Sequence, residues 1–240
     1  MVGAWLNAAG IVLGGVAVLI WRGQLPAIFQ ARLKIFLAVA TVVVGLGMTW
    51  RGIGGPLSDV LIQCLILLLS LTVGSFLGRL LRLQHYSNRL GRFAQNQLQL
   101  ASQNPEKSWN AGFLAGTVLF CSSPLGLMGA FFDGLSGNYA ILLVKAVMDG
   151  LAVFSLAKAT RWGIVVSCLP VLAVLGSLTL LGQQLEQVAH DQTAVLASVE
   201  AVGGMLVFCA SLIILELKRV PLTNYLPCLL VAAVLALWWR

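Results

Sequence analysis

Two stretches of an apolar chain hold the residues best suited to chemistry. From Leu119 to Gly150 the sequence reads LFCSSPLGLMGAFFDGLSGNYAILLVKAVMDG, and from Glu200 to Val207 it reads EAVGGMLV. Lys145 and Asp149 are four residues apart, so on a helix they share one face. An ionised side chain at the centre of a lipid-spanning helix costs at least about 2.5–3.5 kcal/mol, so each one raises a functional hypothesis. Glu200 lies as far into its own apolar segment as Lys145 does, roughly 10 Å, and is expected to face the lysine. A structural ion pair needs one acid for one base. Two carboxylates around one lysine leave an acid that must take up a proton or a cation such as Na+. That is the chemistry of a coupling-ion site, with a self-cancelling structural pair as the alternative.

The complementary feature is a backbone break. Pro124 has no N–H, so it frees a carbonyl one turn earlier, and Ser122 and Ser123 stand beside it to bond the opened backbone. Broken helices at membrane depth are tolerated only where protein or a water-filled cavity covers them. Gly126 and Gly129 then let a ligand or a neighbouring helix approach. Ser167-Cys168-Leu169-Pro170 is expected to form a second kink. Asp133, with Gly134 and Ser136-Gly137-Asn138, reads as an outer turn that can join the pathway, and Asn7 as an amide able to bond across helices. Glu216 reads as an interfacial charge beside Lys218 and Arg219. The chain has no GxSxG, HExxH, P-loop or CxxC motif, which argues against an enzyme. The five cysteines lie inside apolar runs without metal spacing, as small core residues do.

These residues must be positioned by membrane-spanning helices. The chain is 59% hydrophobic and 10% charged, against about 25% charged in soluble domains. A span needs roughly 20 apolar residues. The sequence therefore predicts an all-α bundle of about eight spans, or seven if one is re-entrant, forming a single membrane domain over 1–240. The expected spans are 3–21, 33–50, 57–80, 109–131, 138–159, 161–182, 193–215 and 222–239. Twelve of the fifteen lysines and arginines fall in the loops after spans one, three, five and seven. By the positive-inside rule both termini are then outside, and the net charge of +7 requires no nucleic-acid partner. Residues 83–108 form a loop on the inner side, where Tyr86, Leu90 and Phe93 repeat at helical spacing among arginines. This segment is expected to be an interfacial amphipathic helix or a polar linker. Gly10 and Gly14, Gly74 and Gly78, and Gly112 and Gly116 predict close helix contacts. PLSDVL (Pro56 to Leu61) and PLTNYL (Pro221 to Leu226) open spans of opposite direction, a faint mark of an inverted repeat.

The order LNAAGIVLGG (Leu6 to Gly15), LFCSSPLGLMGAFFDGLSGN, LLVKAVMDG and EAVGGMLV resembles a bacterial inner-membrane family, the YqgA/YdfK-like proteins catalogued as domain of unknown function 554. The resemblance covers nearly the whole chain and is most specific from Phe120 to Gly150. The family often has cysteine-glycine-proline where this chain has Cys121-Ser122-Ser123-Pro124. The pivot proline agrees, but the flexible glycine does not. The resemblance implies a polytopic bacterial membrane protein, of a kind often guessed to be a transporter, and it implies no substrate.

The expected function is ion-coupled secondary transport of a small anionic or zwitterionic solute, with a proton or Na+ as coupling ion and no other cofactor. Asp149, Glu200 and Asp133 would exchange the cation, while Lys145 and the Ser122–Pro124 break would hold the solute. The lipid bilayer and a second copy of the chain, in a homodimer, are the other expected partners. A passive channel or a membrane assembly or regulatory protein is the alternative, and an intramembrane hydrolase using Ser122 or Ser123 with Lys145 ranks below both.

Overall fold

A computed structural model describes residues 1–20, 26–104, 106–189, 192–218 and 220–239. Arg22, Arg219 and Arg240, three of the basic residues used above to orient the chain, lie outside the described residues, as does His190. All regular structure among the described residues is helical. The helices are α1 (Val2–Ile20), α2 (Ala27–Gly52), α3 (Leu57–Leu80), α4 (Leu83–Gln103), α5 (Ser108–Cys121) and α6 (Pro124–Leu135). They continue with α7 (Ala140–Thr160), α8 (Gly163–Val166), α9 (Cys168–Ala189), α10 (Thr193–Ile214), a 3-10 turn (Leu222–Tyr225) and α11 (Cys228–Trp238).

Five segments are long and apolar enough to cross a membrane, and the pair α5 and α6, bent by 59°, makes a sixth if taken as one span. Val2–Val18 and Leu222–Trp238 are shorter apolar helices at the places of the first and eighth expected spans. Four boundaries differ most from expectation, one being the end of α9, which runs on to Ala189 rather than stopping at 182. Helix α2 begins at Ala27 rather than at 33, because its first turns tolerate Arg32 and Lys34 at the surface. Helix α6 runs on to Leu135, so Asp133 lies inside a helix and the turn starts only at Ser136. Helix α11 starts at Cys228, with Pro227 at its N-cap, leaving a separate 3-10 turn before it.

The chain forms two compact units. The first comprises Met1–Ala27 and Ser87–Gln183. In it α1 and α7 run parallel, and their backbones touch where Gly10 and Gly14 face the carbonyls of Ala146 and Gly150. Gly112 and Gly116 of α5 make room for the side chains of Thr160 and Ser167. Without a hydrophobic drive between helices in lipid, such small-residue seams supply the packing. Ile11, Phe120, Leu142, Val153, Ile164 and Leu175 fill the core between them.

The second unit comprises Ile28–Tyr86 and Gln184–Arg240. Its helix pairs are antiparallel: Gly45 of α2 meets Gly204 and Phe208 of α10, while Gly52 meets Ala197 and Ala201. Gly74 and Gly78 of α3 press on Cys228 and Asn224, at the start of the α11 segment. The prolines of the two echoed hexapeptides, Pro56 and Pro221, are both N-caps, and they open elements that pack in opposite directions within this unit.

Large apolar side chains remain outside on both faces of the long helices. Phe36, Val43, Leu61, Leu68 and Phe76 are all exposed, a surface that suits lipid and not water. The six described tryptophans (Trp5, Trp50, Trp109, Trp162, Trp238 and Trp239) all lie at or near helix ends. Indole rings favour that depth because one edge can stay wet.

Candidate functional site

The break between α5 and α6 comes from two serines and a proline. Helix α5 ends when the Ser122 N–H bonds the Val118 carbonyl, and α6 restarts with the N–H groups of Gly126 and Leu127 on the Ser123 carbonyl. Pro124 occupies the first position of α6, where its missing N–H costs least. It therefore cannot donate to the Phe120 carbonyl one turn back. Ser123, the N-cap, makes no side-chain cap bond, and both serines remain partly exposed. The result is one negative and one positive helix end, set two residues apart. At the second expected kink, Ser167 alone separates α8 from α9, and its hydroxyl bonds the Ile164 carbonyl at 2.6 Å.

Against this break lies the ion cluster. Lys145 is 1% exposed and Asp149 8%, so both charges are inside the protein. The Lys145 Nζ donates to Asp149 Oδ2 across one helical turn. Asn7 Nδ2, from α1, donates to the same oxygen at 3.1 Å. The ammonium also stands 5.7 Å from the centre of the Phe120 ring, within reach of its negative face. Its aliphatic stem runs over Gly126, where any Cβ would collide with the lysine Cε. A glycine in the first turn of α6 is thus what admits the lysine. Asn7 is fully buried, yet its Oδ1 has no hydrogen-bond partner among the described residues. A buried acceptor left unpaired costs about 1–3 kcal/mol, so the cluster holds an open acceptor.

The other expected residues fall elsewhere. Asp133 is 4% exposed inside α6 and is not a turn residue. It accepts the Gly3 N–H at 3.2 Å and the Thr179 hydroxyl at 3.5 Å, and the Met1 amino group lies 3.3 Å away. These contacts tie α1 and α9 to α6 and engage none of the Lys145 cluster. Glu200, expected at Lys145, belongs to the second unit, where the neighbouring charge is the Arg51 guanidinium. Glu216 pairs with Lys34 at 2.5 Å rather than with Lys218. Sequence reading missed Phe120 and Thr179, since neither an aromatic nor a threonine in an apolar run stands out. The one available signal for Phe120 is its place one turn before the proline.

The second unit has a cavity of about 250 Å³ between α3, α10 and α11, lined by Asp59, Gln63, Ser198 and Trp239 over an Ile62, Ile66, Ala194 and Ala236 floor. All five cysteines are free. Among the described residues no three His, Cys, Asp or Glu side chains are placed to hold a metal ion.

A chain of apolar helices with lipid-facing side chains, terminal tryptophans and one broken helix beside a buried ion pair is a polytopic helical membrane protein. It belongs to the family described as "Protein of unknown function (DUF554)", whose model matches residues 2–237. It is similar to "Uncharacterized protein YqgA" of Escherichia coli (strain K12), 26% identical over 240 residues, covering 100% of this chain and 97% of that protein. It is also similar to "Uncharacterized membrane protein YdfK" of Bacillus subtilis (strain 168), 26% identical over 235 residues, covering 98% of this chain and 95% of that protein. No solved structure matches the chain.

Proposed function

We propose that the protein is a secondary transporter of a small anionic or zwitterionic solute across the bacterial inner membrane, with both termini on the outer side. The observation that carries this reading is the buried Lys145–Asp149–Asn7 cluster at the α5–α6 break. Half-helix ends beside intramembrane charges are the means by which many transporters hold a solute and an ion near the midplane.

The coupling follows from charge balance. At rest Lys145 neutralises Asp149. When an anionic group takes the ammonium, Asp149 is left as an unpaired carboxylate out of water, which is costly unless it gains a proton or Na+. One anion therefore brings one cation, and the occupied site stays as neutral as the empty one. The open Asn7 Oδ1 supplies an acceptor for an N–H or O–H of the solute, or an oxygen for the cation. The fully buried lysine and the partly exposed serines favour a gated pathway over a continuous pore.

The test is uptake into proteoliposomes of a panel of radiolabelled amino acids and small carboxylates, under an imposed proton or sodium gradient. Uptake that collapses with the gradient and with Asp149→Asn supports the reading. Current that flows without gradient coupling points to a channel instead. A stable Lys145→Met/Asp149→Leu variant with full uptake would show the pair to be structural and overturn the assignment of the site.

A further inference from the structure

Helix α4 is the long helix that lipid crossing does not explain. It has 21 residues and is not among the apolar spans. Its sequence, LQHYSNRLGRFAQNQLQLASQ, contains no aspartate or glutamate. Ala94 and Ala101, seven residues apart, are buried, so one narrow stripe of the helix is packed on protein. At 100° per residue, Tyr86, Leu90, Phe93 and Leu100 form a second stripe beside it, and all four are exposed. Arg82, at the turn into the helix, and Arg89 lie beside that stripe, while Arg92 stands on the opposite face between Asn96 and Gln99; all three are exposed. None of the three arginines is in an ion pair among the described residues. Asn88, Gln95, Asn96 and Gln99 form the remaining, polar face.

Three faces in this order have a physical meaning. The alanine stripe fixes the helix to the protein, and the amide face suits water. The apolar ridge with basic residues along its edge matches the boundary where acyl chains give way to phosphates. An amphipathic helix that lies in the interface has this arrangement of groups. Helix α4 follows α3 after the two residues Leu81 and Arg82, and Arg82 takes a left-handed φ of 52°, so the chain turns sharply where the span ends. A non-glycine residue in that region marks a tight local constraint.

We propose that α4 is a docking surface for anionic phospholipid, with Tyr86, Leu90, Phe93 and Leu100 set among the acyl chains and Arg82 and Arg89 on the phosphates. Charge complementarity selects the partner: a helix with basic residues and no acids gains from each anionic headgroup, and little from a zwitterionic one. The role is independent of the transport reading, since it concerns residues outside the ion cluster.

The experiment is hydrogen exchange on the full chain in nanodiscs of phosphatidylcholine alone and of phosphatidylcholine with phosphatidylglycerol, at low salt. Amides of residues 83–103 should exchange more slowly in the anionic discs, with the transmembrane peptides unchanged. Arg82→Gln/Arg89→Gln alters two exposed side chains and leaves the buried stripe intact, so the protein should fold. It should abolish the lipid-dependent difference and weaken retention of phosphatidylglycerol in native mass spectrometry about 30-fold, taking each basic contact at its usual strength. Salt at 1 M should erase the same difference. Leu90→Asn/Phe93→Asn should instead speed exchange in both disc types. Equal protection in the two lipids, or protection that depends on protein concentration and not on lipid charge, would overturn the proposal and point to a protein partner on this face.

Discussion

The two units pack their helices by the same device and place their charges by opposite rules. In the first unit Gly10 and Gly14 draw α1 onto α7, and in the second Gly74 and Gly78 draw α3 onto α11. Yet the first unit encloses Lys145 and Asp149 in the middle of a long helix. In the second unit Lys34 and Glu216 are exposed, Arg51 ends α2, Asp59 begins α3, and Glu200, inside α10, is only partly buried. Close packing is thus a general property of the bundle, whereas a fully buried ion pair is, among the described residues, particular to the first unit. Glycine seams say how the helices meet. The buried pair says where to look for function.

The largest expected effect comes from breaking that pair. Lys145→Met leaves Asp149 without its partner and should destabilise the protein by about 3–5 kcal/mol in equilibrium unfolding. Lys34→Met in the second unit should change the same measurement only slightly, since both members of the Lys34–Glu216 pair are in water. Lys145→Met/Asp149→Leu should recover most of the lost stability and still fail in proteoliposome uptake. Recovery of uptake together with stability would remove the functional contrast between the units.

Next in size are the seams. An alanine at Gly14 meets the Gly150 carbonyl, and one at Gly78 meets the Asn224 carbonyl. Neither obstacle is a flexible side-chain tip, so each pair of helices must separate, at about 1–3 kcal/mol. Similar losses for Gly14→Ala and Gly78→Ala, measured by unfolding, would support the shared device. A large loss at one and none at the other would break it.

Much of this arrangement was legible in the sequence, because lipid imposes few solutions. Span three was expected at 57–80 and occurs there, and span seven differs only in its last residue. The six glycines chosen by spacing all face another helix at close range. Pro124 gave the break, and the four-residue step gave the Lys145–Asp149 bond. What the sequence withheld is lateral: which helix lies beside which. Depth can be counted along each span from its polar end, but azimuth cannot. Glu200 is therefore expected at Lys145 on depth alone, and within its own unit the neighbouring charge is Arg51. Asn7, one amide in a long apolar helix, was expected to bond across helices, but its target, Asp149, lies 142 residues away. Asp133 was assigned to a turn because Asp-Gly usually marks one. In lipid a helix can keep that pair when Gly3 and Thr179 satisfy the carboxylate.

A smaller effect separates fit from function at Asn7. Asn7→Leu deletes one bond to Asp149 but also removes an unpaired buried oxygen, so stability should stay within about 1 kcal/mol of the parent. Uptake should fall far more than that change predicts, since the open acceptor is lost. Proportionate losses in both would make Asn7 structural and bring the first unit closer to the second.

The smallest effect lies in the second unit and concerns pH. The Glu216 carboxyl is held below its ordinary value, first by the hydrogen bond from Lys34 and then by its charge. A carboxyl depressed in the folded state adds stability above its unfolded value, about 4.3, and loses it as pH falls through the folded value. Acid titration of the unfolding midpoint should therefore show a shallow decline below that range, absent in Glu216→Gln. Because both side chains are exposed, the decline should also vanish at 1 M salt, where the Debye length falls to about 3 Å. The Lys145–Asp149 pair, shielded from solvent, should keep its contribution at that ionic strength. Equal salt sensitivity of the Glu216→Gln and Lys145→Met effects would mean that the cluster at the helix break is as wet as the surface, and the contrast between the two units would fail.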